Sequence, residues 1–315
     1  MGKRPVALRP HGKIGVVSTA SCVDGDALVK GCAELSTTMG CEVTVSPIAL
    51  ERDGDFAGGP GARTAALMEM WQREDVDAIV CARGGYGSNY LLPLMDFDFL
   101  RRQPKAFVGY SDNTSILLAL DRAGIVSFHG PMVASDFACG RADEISFRAA
   151  LRGEKLDFDF AAESSVSSLI AGEAKGTITG GCLSVVVASL GTPWEIATEG
   201  KILFLEDVNE KPFRIDRMLM QLFLAKKLCG VRGIIFGKML GCSASAADPE
   251  SVRQVIQRIV GVLGIPVVFG FSSGHVESGN LTLPFGVPAV LRSSESGVRL
   301  QVEASTLLED QVSNS

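Results

Sequence analysis

In the first half of the chain, short apolar runs alternate with longer segments of helical periodicity, and this alternation narrows the possible folds most. The apolar runs are "KIGVVSTA" (13–20), "EVTVS" (42–46), "DAIVCA" (77–82), "KAFVGY" (105–110) and "GIVSFHGP" (124–131). Between them lie three helix-like segments: 24–39, opened by Asp24 and closed by Gly40; about 62–73, after the loop "ERDGDFAGGPG"; and about 112–122. Buried strands separated by amphipathic helices make βαβ units on a parallel sheet, so the chain is expected to be α/β.

The segment 152–180 breaks the pattern: "AAESSVSSLIAG" is rich in Ser and Ala, only weakly periodic, and suits a linker. Beyond it the sequence predicts a helix over 181–190, strand "KILFLED" (201–207), a helix over 212–227, strand "VRGIIFG" (231–237), a helix over 249–260 and strand "IPVVFGF" (265–271). The end, "LTLPFGVPAVLRSSESGVRLQVEA", alternates like antiparallel strands. The expected organisation is an N-terminal α/β domain over 1–152, a linker over 153–178, and a C-terminal α/β domain with some antiparallel strands over 179–315. A chain of 315 residues is long enough for two such units.

Composition excludes several classes. With 46% hydrophobic and 21% charged residues the chain reads as globular; its net charge of −6 and lack of any Lys/Arg cluster argue against a nucleic-acid partner. The N-terminus lacks the apolar core of a secretory leader, which points to the cytoplasm. The longest apolar stretch, "IVGVLGIPVVFGF" (259–271), is 13 residues with a proline, against roughly 20 for a membrane span. It reads as a helix end running into a buried strand. Eight cysteines form no CxxC pair, as expected of reduced, packed thiols rather than a disulfide framework or zinc site. Cys81 and Cys182 flank glycine turns, so a thiol nucleophile is weighed and set low.

Only three histidines, His11, His129 and His275, can serve as a neutral-pH base. His11 precedes the first strand. His129 ends one, as a packed or substrate-side residue. His275, in the polar loop "FSSGHVESGNLTLPFG" after a buried strand, ranks first by position. The turn "ARGGYGS" (82–88) lacks both G-x-G-x-x-G and GK[ST], so it is either an oxyanion-binding turn or a tight turn needing positive φ. In "VGYSDNTSILLALDRAG", Ser111 is either a helix cap or a nucleophile at a strand-to-helix turn, with the Asp112 N–H beside it. The elbow pattern G-x-S-x-G is absent, since Asn113 stands at its second glycine. Glu206, in the pair Glu206-Asp207 at a strand end, either orients a histidine or caps a surface turn.

Six segments, "ARGGYGS", "FVGYSDNTSILLAL", "SFHGP", "GGCLSVVVASLGTPWE", "LFLEDVNEKPFRIDRMLMQL" and "SSGHVESGNLTLPFG", together resemble the L,D-carboxypeptidase family of serine peptidases. That family includes the muramoyl-tetrapeptide carboxypeptidases and the immunity peptidases that inactivate microcin-C-type antibiotics. The pieces follow the family's order from near Lys13 to about Pro288.

The resemblance implies a Rossmann-like N-terminal domain joined to a C-terminal α/β domain, with the site between them. It implies Ser111 as nucleophile, Glu206 as orienting carboxylate, His275 as base, and the N–H groups of Gly85 and Asp112 as oxyanion donors. It further implies a homodimer, acyl-transfer chemistry and no metal or organic cofactor. With the helix start left open, its capping passes to Asp112, Asn113 or Thr114. A carboxypeptidase must also bind a free carboxylate, for which Arg83 is the candidate. The expected substrate is a cytoplasmic murein tetrapeptide in cell-wall recycling. The alternative is a peptidyl-nucleotide, on whose base Trp194 would stack. An alternative of another class is a non-catalytic two-domain protein that binds a peptide or sugar.

Overall fold

The short apolar runs of the first half become strands, and five of them lie side by side in one sheet. In this computed structural model, which describes residues 2–161, 164–245, 248 and 250–308, they are β1 (Lys13–Val17), β2 (Glu42–Val45), β3 (Ala78–Cys81), β4 (Ala106–Gly109) and β5 (Ser127–His129). All are parallel, in the order β5-β4-β3-β1-β2. Every residue of β3 and β4 is buried.

The connecting helices are α1 (Gly25–Met39), α2 (Pro60–Gln72), α3 (Phe97–Arg102) and α4 (Thr114–Arg122), followed by α5 (Glu144–Leu151). Helix α1 has the predicted limits for the predicted reasons. The Asp24 carboxylate accepts from the Ala27 N–H at 2.9 Å, and Gly40 takes the left-handed conformation at the other end. Helix α2 starts two residues earlier than expected because Pro60 fits a first helical position.

The second sheet comprises β6 (Leu156–Ala161), β7 (Ser167–Ile170), β8 (Gly172–Cys182), β9 (Ile202–Glu206), β10 (Gly233–Gly237) and β11 (Val267–Phe271), with helices α6 (Leu183–Ala188), α7 (Pro212–Leu224) and α8 (Ser251–Val260). After β11 come β12 (Leu283–Phe285), β13 (Pro288–Ser294) and β14 (Gly297–Val302). The order is β6-β14-β13-β8-β9-β10-β11-β7, parallel from β8 to β11 and antiparallel elsewhere. The antiparallel C-terminal strands are therefore as the alternation indicated.

The expected linker is a correction. Residues 153–178 carry β6, β7 and the first part of β8, all of them paired. In β6, "LDFDFA", Leu and Phe point inward while Asp points out, a half-buried pattern that the Ser-rich stretch after it obscured. β7 reads polar because it is a half-exposed edge strand.

Two features tie the halves together. β12 leaves the second half of the chain and pairs antiparallel with β5 at the edge of the first sheet, Leu283 opposite His129. Helix α4 is buried from Thr114 to Leu120 and packs against β8 and α6. Its Leu117 belongs to the core of the first sheet and Leu118 to the core under α7 and α8. Among the described residues, no helix is long and apolar enough to cross a membrane.

Candidate active site

The turn between β4 and α4 is strained. Tyr110 continues the strand (φ −153°, ψ −167°), and Ser111 then takes φ +61°, a conformation costing a residue with a Cβ about 1–3 kcal/mol. A single 3-10 turn, Ser111–Asn113, leads into the helix.

Of the three polar residues expected to cap α4, Asn113 takes the N-cap position but none caps with its side chain; each side chain is tied to a distant part of the chain instead. The Asp112 carboxylate accepts from the Ser88 N–H at 2.7 Å, and the Asn113 amide bonds the Thr19 hydroxyl and donates to the Arg83 carbonyl. The Thr114 hydroxyl accepts from the Cys182 N–H at 3.0 Å. The turn is thus held open by its surroundings, with Ser111 half-buried at its apex.

Ser111, His275 and Glu206 meet there. His275 Nε2 lies 3.1 Å from Ser111 Oγ, and its Nδ1 lies 2.7 Å from Glu206 Oε2. The His275 backbone N–H also donates to Glu206 Oε2, at 3.1 Å. Glu206, the last residue of β9, is 1% exposed. Gly274 explains how the loop comes so close: at φ +94°, a Cβ there would sit 2.6 Å from the Glu206 carboxyl carbon.

Burial alone would drive Glu206 to protonate, but the charge and hydrogen bonds of His275 outweigh it and hold the carboxyl below its ordinary pKa. For His275, burial opposes the cation, yet the charge and hydrogen bond of Glu206 raise its pKa above the ordinary histidine value. A buried cluster fixes the two loops against each other. Asp136 accepts from Asn280 Nδ2 at 3.2 Å, from the Tyr110 hydroxyl at 3.3 Å and from the Met132 N–H at 2.9 Å. Asn280 Oδ1 accepts from the Gly274 N–H at 2.9 Å. Asp136 therefore links the residue before Ser111 to the residue before His275.

The turn after β3 brings Gly84 and Gly85 against Ser111. Gly85 has φ +115°, and a Cβ there would meet the Ser21 hydroxyl at 2.3 Å. The Asp112 N–H faces the same turn. A hydroxyl relayed through imidazole to a carboxylate, beside a glycine turn and the Asp112 N–H, suits an acyl transfer through an oxyanion.

Residues 14–130 match the LD-carboxypeptidase N-terminal domain, and residues 175–291 match the LD-carboxypeptidase C-terminal domain. The chain belongs to the LD-carboxypeptidase family. A Bacillus subtilis relative named "Probable murein peptide carboxypeptidase" is 33% identical over 307 residues, covering 96% of this chain and 95% of that protein. The microcin C7 self-immunity protein MccF of Escherichia coli is 27% identical, covering 71% of this chain and 74% of that protein. Among solved structures, the muramoyltetrapeptide carboxypeptidase from Oxalobacter formigenes superposes with a TM-score of 0.84 at 29% identity, covering 94% of this chain and all of that one. As a member of this family the chain is a peptidase.

Two cavities flank the Ser111 turn of this LD-carboxypeptidase family member. One, about 330 Å³, is lined by Gly85, Ser111, His275, Met132 and the side chains of Arg83 and Arg141. The other, about 360 Å³, lies across Asp112 and is lined by Tyr86, Leu92, Ser184, Thr192 and Trp194. The structure thus brings Arg83 to the Ser111 cavity, where its guanidinium donates to the Cys22 carbonyl at 3.2 Å, and places Trp194 in the neighbouring one. Cys81 is buried and its thiol is pushed up to about 12, and burial also lifts Cys182 well above the thiol norm, so neither supplies a thiolate. His11, at φ +56°, precedes β1 and does not line either cavity.

Besides Asp136 and Asn280, two further residues of the site escaped the sequence reading. Arg141 follows the 3-10 turn Phe137–Cys139 in a stretch with no periodic signal. Arg63 is 1% exposed and donates to the carbonyls of Gly58 (3.0 Å), Thr19 (2.6 Å) and Gly87 (2.8 Å), bracing the Gly84–Gly87 turn from behind. Its signal was present: an arginine on the buried stripe Arg63, Thr64, Leu67, Met70, Trp71 of α2.

Proposed function

We propose that this chain is a serine carboxypeptidase that releases terminal D-alanine from murein tetrapeptide during cell-wall recycling in the cytoplasm. The observation that carries the reading is the relay from Ser111 Oγ through His275 to the buried Glu206, at the wall of a cavity (3.1 and 2.7 Å). His275 takes the Ser111 proton as the hydroxyl attacks the amide carbonyl, and the N–H groups of Gly85 and Asp112 hold the oxyanion. His275 then protonates the leaving amine, and water repeats the sequence on the ester. Glu206 stays ionised throughout. The reaction calls for no metal or organic cofactor.

The general acid must reach the leaving nitrogen, so the leaving residue occupies the cavity that His275 lines. That cavity is small and holds Arg83 and Arg141, cations for the free carboxylate of a departing amino acid. The acyl portion of the peptide extends across Asp112 to the second cavity. The names of the B. subtilis relative and the O. formigenes structure support a murein peptide as substrate.

A second reading, cleavage of a peptidyl-nucleotide antibiotic, is favoured by the likeness to MccF; it reverses the assignment of the two cavities, with the base of the departing nucleotide against Tyr86 and Trp194. Side-by-side assays of D-alanine release from an L,D-tetrapeptide and of cleavage of a peptidyl-adenylate analogue separate the two. The tetrapeptide is expected to be turned over at least tenfold faster; the reverse order assigns the immunity role. Hydrolysis of neither, with binding retained, returns the non-catalytic binding reading. The homodimer implied by the family resemblance is tested by mass measurement in solution.

A further inference from the structure

The relay uses only one oxygen of Glu206. The other, Oε1, has no hydrogen-bond partner among the described residues, and the same is true of Nε2 of His129, which lies 3.9 Å away. Both side chains are essentially sealed from solvent, at 1% and 0% exposure. Two orphaned polar atoms facing each other in a dry site are costly unless their dipoles are matched.

His129 is also fixed in place. It ends β5 inside a box of rings, with centroids 4.9 Å to Phe204, 5.7 Å to Phe285 and 5.8 Å to Tyr110. Its Nδ1 lies 2.9 Å from the hydroxyl of Ser273, two residues before His275. Resting on the serine-peptidase reading above, we propose that His129 is a positioning residue: its neutral imidazole points Nε2–H at Glu206 Oε1 and holds the carboxylate so that Oε2 faces His275. The tautomer follows from the partners. Ser273 can donate to Nδ1, whereas a bare Nε2 lone pair would face a carboxylate oxygen. At 3.9 Å the contact exceeds a hydrogen bond, so it works as an oriented dipole in a site of low dielectric.

Burial pushes His129 down to about 4, so it stays neutral where the enzyme works. The titratable groups facing this pair are His275, Tyr110, Cys182 and Cys242, together with Asp207 beside Glu206. Removing the N–H leaves Glu206 more basic, tightens its hold on the imidazolium and raises the His275 pKa.

Glutamine places an amide N–H near the position of Nε2, whereas asparagine reaches only the position of Nδ1. The expectation is that His129→Asn lowers kcat about tenfold or more with KM unchanged, the scale on which a partner that orients a catalytic ligand acts. The His275 imidazole should then titrate at higher pH, read by NMR, where the wild type contributes only three histidines and the variant only His11 and His275. His129→Gln should retain most of both properties. Equal losses in the two variants, or wild-type kcat and titration in His129→Asn, overturn the proposal. Should His129→Asn not fold, Ser273→Ala removes the donor that selects the tautomer and should shift the His275 titration the same way; an unmoved titration rejects the idea. The NMR titration needs no substrate, so it decides the point even if the wild-type protein hydrolyses neither peptide and the proposed activity fails.

Discussion

The Ser111 turn and the His275 loop are held in place by different means. Between β4 and α4 the chain turns within a few residues, and a strained Ser111 is held because the three residues after it, Asp112, Asn113 and Thr114, are each bonded to remote segments. Between β11 and β12 the chain wanders from 272 to 282, and His275 is placed by Glu206, Asp136 and Asn280, the first two from distant segments. The turn stores strain in one residue and is clamped through the three that follow, whereas the loop is placed through His275 itself; both take their geometry from groups that the fold must first bring together.

Replacing the nucleophile is the sharpest way to break this contrast. Ser111→Ala should abolish hydrolysis, about 10⁴-fold or more, while the melting temperature stays within a few degrees, because the turn is anchored by Asp112, Asn113 and Thr114 rather than by Ser111. Residual turnover near wild type removes Ser111 from the chemistry.

Glu206→Gln probes the loop side through pH. The base acts when neutral, so kcat/KM in the wild type should rise with pH through a midpoint above about 6.5, since Glu206 raises the His275 pKa. With Gln the raising charge is gone and burial remains, so the midpoint should move to lower pH while kcat falls about 10³-fold or more. A midpoint that stays put means Glu206 does not set the titration of His275.

Arg63→Met tests whether the oxyanion turn is braced from behind. The buried carbonyls of Gly58 and Thr19 lose the Arg63 donor, at about 1–3 kcal/mol each, Gly87 keeps only the Tyr90 N–H, and kcat should fall about 100-fold if the Gly85 N–H drifts. Denaturant melts and kinetics on the same protein check both numbers. The smallest effect is expected for Arg141→Met, which should raise KM for a substrate with a free carboxylate about tenfold and leave kcat nearly unchanged. If KM is unchanged, Arg83 remains the candidate for that carboxylate.

The same contrast sets what was legible in the sequence. Parallel strands and helix ends were readable because apolar runs, Asp24, Gly40 and Pro212 act on their own neighbours. Ser111, Glu206 and His275 could be singled out because each sits where a strand ends, but only the family resemblance joined them. Asp136, Asn280, Arg63 and Arg141 were missed, since the partners that give them their roles lie 24 or more positions away (Gly87 for Arg63, Tyr110 and Asn280 for Asp136) or, for Arg141, in a cavity formed by folding. The strands of 153–178 were missed because an edge strand needs little hydrophobicity.

Strand β12 has a further consequence. It closes the edge of the first sheet beside His129, and it directly follows the loop that carries His275. As the chain emerges from the ribosome, β1 to β5 can collapse early, but their outer edge stays unpaired until residues 283–285 have been made. The nascent protein therefore displays its serine long before it owns a base. Shortened products that stop before this strand should bind peptides poorly and cleave none, and the late edge is where a folding helper would find the unfinished molecule.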